Sequence, residues 1–280
     1  MRLRITTLAE NTATKFNTLA EHGLSMLVEV DELCLLLDTG QTGTAVHNAR
    51  ALDVDLSRVG HLVLSHGHQD HTGGLRDVLA LTGEVQVHAH ADVWRTRYVT
   101  RKHEIKPRYA GLMYVREQLE AMGANFRLSN EPDAISRNVL TTGPVPRNTA
   151  FEKLDADLVV RAPHGGWMQD EVPDDQSLVV KTPRGLVVLL GCAHSGMVNT
   201  LLRAQEVAGE DRIFAVLGGT HLGYATAEQL SKTIDALRGF DIEKLGVSHC
   251  TGLAASARLA QEFGDRFFFN NVGTVSEWDF

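Results

Sequence analysis

Ser65-His66-Gly67-His68-Gln69-Asp70-His71-Thr72-Gly73-Gly74 follows directly on the apolar run Leu62-Val63-Leu64. Three imidazoles and a carboxylate crowd between His66 and His71. A helix with His66 and His71 on one face would turn His68 to the other, so the stretch reads as a loop leaving a buried strand. Imidazole and carboxylate are ligands for Zn²⁺, Fe and Mn²⁺. Ligands gathered on one short loop bind an ion with little chain-closure entropy opposing them. A solvated polar loop is the bland alternative, but chance would place this spacing in roughly one such sequence in five hundred. His66, His68, Asp70 and His71 are therefore read as metal ligands.

On the N-terminal side, Leu24 to Val30 and Leu33 to Leu37 form an apolar hairpin whose second strand ends in Asp38-Thr39-Gly40. Asp38 is either a turn residue or a carboxylate that orients a metal-binding histidine. On the C-terminal side, Leu75 to Leu81 continues as a helix and Glu84 to His88 as a strand. Gly73-Gly74 at the helix start leaves backbone N–H groups open to an anionic substrate group. His88 and His90 end a strand well past the loop and are set aside as ligands.

Further along, three more strands run into histidines. Leu186 to Leu190 leads to Gly191-Cys192-Ala193-His194, Ile213 to Leu217 to Gly218-Gly219-Thr220-His221, and Leu245 to Val247 to Ser248-His249-Cys250. A helix follows each one. In an α/β sheet, sites assemble at the carboxyl ends of strands, and four histidines on the same kind of corner indicate one shared site.

The composition sets bounds. With 280 residues, 43% of them hydrophobic and 22% charged, the chain can bury a large core. A formal charge of −8 lacks the basic footprint of nucleic-acid binding. No apolar run approaches the roughly 20 residues of a membrane span, and Met1 to Leu8 alternates like a strand rather than a signal peptide. A cytoplasmic location is expected. The three cysteines sit in or beside apolar runs and read as core thiols.

From about Ala91 to Val172 the periodicity loosens. Arg95, Arg97, Arg101, Lys102, Lys106 and Arg108 make a locally basic stretch, and Leu112 to Met122 reads as an amphipathic helix. The double-proline turn Thr142-Gly143-Pro144-Val145-Pro146-Arg147 holds one arginine out with little freedom to lose. One domain, residues 1–280, is expected, with 91–172 as a lid-like insertion and Arg147 pointing at the substrate.

The whole pattern resembles the metallo-β-lactamase superfamily. The resemblance implies a four-layer αββα sandwich of the α/β class, with one or two divalent ions at one edge. Zinc is the first expectation, with manganese, iron or magnesium as alternatives. By resemblance, His66, His68 and His194 would hold one ion, Asp70, His71 and His249 the other, and Asp38 would orient a ligand. The aspartate that usually bridges the ions is replaced at the corresponding strand end by His221. A narrower set (Asp38-Thr39-Gly40, Thr142 to Arg147, Asp174 to Leu178, Gly191 to His194 and His249 to Gly252) is similar to one branch of the superfamily. That branch includes the archaeal methanopterin-biosynthesis enzymes that join a dihydropterin methyl diphosphate to ribofuranosylaminobenzene phosphate.

The expected function is action on a small anionic, phosphorylated substrate, by hydrolysis or by transfer with release of pyrophosphate. Asp70 would orient a water, and His221 would bind substrate and protonate the leaving group. A di-iron redox protein and a catalytically silent binding protein are the rivals. Against the first, the superfamily's di-iron members carry a glutamate where this chain has His68 or Gln69. Against the second, buried imidazoles kept without an ion would be left unpaired.

Overall fold

Strand Leu33–Leu37 is apolar at every position because both its faces are covered. Cys34 and Leu36 pack against Ala45, Val46, Leu75 and Val78 of helices Thr44–Ala51 and Leu75–Thr82. Leu35 and Leu37 turn the other way, into a layer shared with Val180, Val187, Leu189 and Leu217. Strand Gly185–Leu190 repeats the arrangement in mirror sense. Its Leu186, Val188 and Leu190 meet helices Met197–Ala208, Ala227–Arg238 and Gly252–Phe263, while Val187 and Leu189 face inward. The strict period of two thus generates helix, sheet, sheet and helix in succession. This is the expected αββα sandwich of the α/β class.

The computed structural model describes residues 1–100 and 106–280. Arg101 and Lys102 of the basic stretch lie outside the described residues. The first sheet has seven strands in the order 275–279, 2–9, 25–30, 33–37, 61–63, 85–89, 124–128. The second has six, in the order 267–269, 244–248, 213–219, 185–190, 178–182, 139–141. Strands 33–37, 61–63 and 85–89 are parallel, with Leu36 opposite Leu62. Strands 185–190, 213–219, 244–248 and 267–269 are parallel too, with Leu189 opposite Leu217. Parallel pairing brings the strand ends that carry Asp38, His66, His194, His221 and His249 to the same edge. Among the described residues, no helix is long and apolar enough to cross a membrane.

The expected insertion is not one block. Ala124–Leu128 and Val139–Thr141 are edge strands of the two main sheets. What stands apart is a small four-stranded sheet of 97–99, 108–109, 158–161 and 167–169. It is assembled from the two flanks of the segment, and it overhangs the histidine edge. The helix expected over Leu112 to Met122 is confined to Arg116–Glu120. The residues just before it are drawn off by the histidine loop: Gln69 N donates to Ala110 O at 2.8 Å, and Tyr114 Oη donates to Gly73 O at 3.0 Å.

One buried acid near that edge makes stability depend on pH. Glu10 is 3% exposed and accepts from Thr12 N at 3.1 Å. Burial raises its pKa to about 7, well above that of an exposed glutamate. A raised carboxyl pKa means the folded state holds the proton more tightly than the unfolded state. Its contribution is complete below the unfolded pKa of about 4.5 and fades as pH climbs toward 7. We expect urea unfolding of the wild type to lose up to about 3 kcal/mol over that window from this group. Glu10→Gln should remove that slope; an unchanged slope in the variant would show that Glu10 is not its source.

Candidate metal centre

The edge is built under backbone strain. Asp38, Ala193, His221 and His249 have φ of 58°, 53°, 56° and 53°, the left-handed region that non-glycine residues rarely occupy. Each sits just past a strand end, where the chain must turn sharply to aim a side chain inward. The histidine loop begins in irregular backbone at His66 and closes with one helical turn, Gln69–Thr72. Gly67 is required there: a Cβ would collide with the carbonyl oxygen of Val93 and come 2.7 Å from Arg97 Nη1. The expectation that Gly73 and Gly74 offer free N–H groups is corrected. Gly73 N donates to Gln69 O at 2.7 Å and Gly74 N to Gly40 O at 3.2 Å, so these glycines serve close packing instead.

Hydrogen bonds at the outer ring nitrogens fix which way the inner ones point. Ser65 donates its hydroxyl to Asp38 Oδ2 at 2.6 Å, so its oxygen accepts from His66 Nδ1–H at 2.9 Å. That leaves a lone pair on His66 Nε2, which faces His68 Nδ1 at 2.9 Å and His194 Nε2 at 3.1 Å. Burial holds His66 and His194 well below the ordinary imidazole pKa, and lowers His68 to about 3. This first group is neutral and buried, its three nitrogens turned toward one point.

The second group is fixed in the same way. His71 Nδ1–H donates to Asp38 Oδ2 at 2.7 Å, and His249 Nδ1–H to Asn11 Oδ1 at 2.8 Å. Their Nε2 lone pairs then face each other at 3.2 Å, and Asp70 Oδ2 is 3.2 Å from His249 Nε2 and 3.9 Å from His71 Nε2. Burial disfavours charge on His71, but Asp38 and Asp70 outweigh it and raise its pKa to about 9, so a proton competes with a metal ion for the Nε2 lone pair. The spot attracts positive charge. Lone pairs converging on lone pairs and a carboxylate repel unless a cation lies among them, so both groups fit divalent metal ions. Asp38 receives Ser65 N as well, at 2.7 Å, so one carboxylate fixes, directly or through Ser65, an imidazole of each group.

Two expectations need adjustment. His221 flanks the first group rather than the second: its ring centroid is 4.4 Å from that of His194. Its Nε2 bonds Asp155 Oδ2 at 3.0 Å; burial lowers the pKa of His221, but Asp155 and the Cys250 sulfur together outweigh it and raise the pKa to about 9. Arg147 does not line the cleft. Its guanidinium donates to Glu171 O at 3.0 Å and faces the carboxylates of Asp175, Glu171 and Glu152, so it ties loops together. His88 and His90 stay outside the centre, bonded to Asp133 and to Asp92 N respectively.

Several functional neighbours were hidden in the sequence. Arg97 is fully buried and grips Asp174 through both terminal nitrogens, at 2.8 and 2.5 Å, and Asp170 through Nε at 2.9 Å. Asp174 in turn accepts from Gly67 N at 2.7 Å, so this network clamps the histidine loop. Its one sequence signal was the Asp174-Asp175 pair. Cys192 and Cys250, taken for core thiols, lie in the centre itself. His22 reaches Asp70 Oδ2 at 3.3 Å from outside. The cleft is completed by Gln41, Arg108, Asp157 and Tyr224, so the small sheet and the sandwich edge face each other across it.

Comparison with known proteins identifies the family of this fold. The family model for the metallo-beta-lactamase superfamily matches residues 19–249. The 7,8-dihydropterin-6-methyl-4-(beta-D-ribofuranosyl)-aminobenzene-5'-phosphate synthase of Methanocaldococcus jannaschii is 29% identical over 284 residues, covering 98% of this chain and 96% of its own. The crystal structure of Tm1679, a metal-dependent hydrolase of the beta-lactamase superfamily, is 30% identical and covers 98% of each chain with a TM-score of 0.83. The metallo-beta-lactamase fold protein YhfI from Bacillus subtilis shares the fold at 11% identity, covering 99% of each chain with a TM-score of 0.58. On this match and on the architecture of its histidine edge, the chain belongs to the metallo-beta-lactamase superfamily.

Proposed function

We propose that this protein is a metal-dependent enzyme acting on a small phosphorylated or diphosphate substrate. The observation that carries the reading is the cleft, where His68 and His194 of one group and Asp70 and His249 of the other meet Arg108, His221 and Tyr224. His66, His68 and His194 would hold one ion, and Asp70, His71 and His249 the other. Bound divalent ions would supply Lewis-acid polarisation of a phosphoryl oxygen. Arg108 and His221 add positive charge for an anionic group in an otherwise acidic chain. At neutral pH His221 carries a proton, held by Asp155, that it can give to a departing oxygen. Asp70 lines the cleft beside His249 and His22, where it would orient a nucleophile.

The name of the archaeal synthase, which joins a dihydropterin-6-methyl unit to a ribofuranosyl-aminobenzene phosphate, favours transfer; on this reading an arylamine would displace pyrophosphate from a pterin methyl carbon. Hydrolysis would use the same side chains with water as nucleophile. Metal-loaded protein should be assayed with a dihydropterin methyl diphosphate, with and without an arylamine, and beside phosphodiesters, lactones and thioesters. Arylamine-dependent release of pyrophosphate supports the transferase, and phosphate-ester cleavage without it supports the hydrolase. Turnover confined to lactones or thioesters would contradict the proposal.

A further inference from the structure

Cys192 Sγ lies 3.0 Å from His71 Nε2 and is buried. Beside a cluster with His221 and Cys250, the same sulfur closes two more, one with His66 and His194 and one with His71 and His249; in each the ligand atoms lie within 4.8 Å of one another. The latter two clusters are drawn from the two ligand groups described above. Strand Gly185–Leu190 delivers the sulfur to that position. Gly191, just past the strand, packs so tightly on Ser65 that a Cβ would collide with its hydroxyl and lie 3.3 Å from Asp38 Oδ2. Cys192 is thereby set level with the histidines that Asp38 and Ser65 orient.

Cys250 is placed differently. Its sulfur accepts from His221 N at 3.2 Å and donates to Cys192 O at 3.7 Å. Those bonds join two strand ends, and the sulfur clusters with Cys192 and His221 rather than with the imidazoles of either ligand group. Cys34 packs in the outer helix layer of the first sheet. Of the chain's three cysteines, Cys192 alone has its sulfur against inward-facing imidazole nitrogens of both groups.

We infer that Cys192 Sγ is a ligand shared by the two metal groups, supplying the bridging negative charge that an aspartate at the position of His221 would otherwise supply. The inference rests on the metal-centre reading above. Two dications held close together repel strongly in a buried setting, and a thiolate between them offsets that repulsion. When the ions bind, the thiol loses its proton to solvent and the sulfur takes the ions in its place. A sulfur ligand also biases the centre toward zinc, iron or cobalt and against magnesium.

The test is to load apo-protein with Co²⁺ and record both the cobalt-to-protein ratio and the near-ultraviolet sulfur-to-cobalt charge-transfer band. Wild type and Cys250→Ser should show the band, and Cys192→Ser should lose it. Cys192→Ser should also bind its second cobalt about 10–100-fold more weakly. Should Cys192→Ser fail to fold, Cys250→Ser decides alone, since its remaining thiols are Cys192 and the distant Cys34. A band there supports the inference and its absence overturns it. Wild type that binds two cobalt ions without the band overturns it as well. If wild type binds no cobalt, the metal-centre reading itself falls, and this inference with it.

Discussion

Replacing Arg97 with methionine should destabilise the protein by about 3–5 kcal/mol, the usual cost of removing one partner from a buried ion pair. Arg97 has no exposed surface, and the two carboxylates it holds, Asp170 and Asp174, are buried with it. Methionine fills much of the volume but provides no donor, so two buried carboxylates lose their counter-charge. The effect should spread to the metal loop, because Asp174 also accepts from Gly67 N between His66 and His68. Lysine should restore only part of the loss, since it supplies charge but not the forked pairing that grips Asp174. Urea unfolding of the three proteins checks this. A loss below about 1 kcal/mol, the level of an exposed pair, would show that the network is not what holds the loop.

Asp38→Asn should weaken metal binding about 10–100-fold, the range seen when a residue that orients metal ligands is lost. Asp38 accepts from Ser65 N, Ser65 Oγ and His71 Nδ1. An asparagine has a single carbonyl oxygen, so its NH₂ group would be turned on at least one of those donors. With the NH₂ at the Oδ2 position, which Ser65 Oγ and His71 share, His71 would lose the partner that keeps its Nε2 lone pair aimed inward. Ser65 would lose the acceptor that fixes the tautomer of His66. Both ions should therefore be affected, and the one at His71 more. Competition with a chromophoric chelator measures this, and unchanged affinity in the variant would mean Asp38 only supports the fold.

The histidine edge was readable because its chemistry is local. His66, His68, Asp70 and His71 lie on one loop, and the later histidines each follow an apolar strand, which parallel pairing brings to the same edge. The layered fold was readable too, from runs such as Leu33 to Leu37 that are apolar on both faces. What escaped depends on distance along the chain. Cys192 meets His71 across 121 positions and Arg97 meets Asp174 across 77, and even the Asp174-Asp175 pair does not say which cation it meets. Arg97 belonged to a basic stretch of the kind that is ordinarily solvated, while Arg147 stood on a rigid turn and yet is tied to Glu171. The strand Val275–Asp279 alternates without a run of apolar residues, and it joins the first sheet by pairing with the N-terminal strand, Arg4 opposite Glu277.

The measurement closest to the central claim is elemental analysis of metal bound per chain, made on protein stripped with chelator and reloaded with Zn²⁺. Wild type should hold two ions. His194→Ala should lose the ion of the His66 group, and His249→Ala the ion of the His71 group, with the other ion kept in each case. A wild type that binds no zinc, or variants that bind as much as wild type, would contradict the assignment of this edge as a two-ion centre.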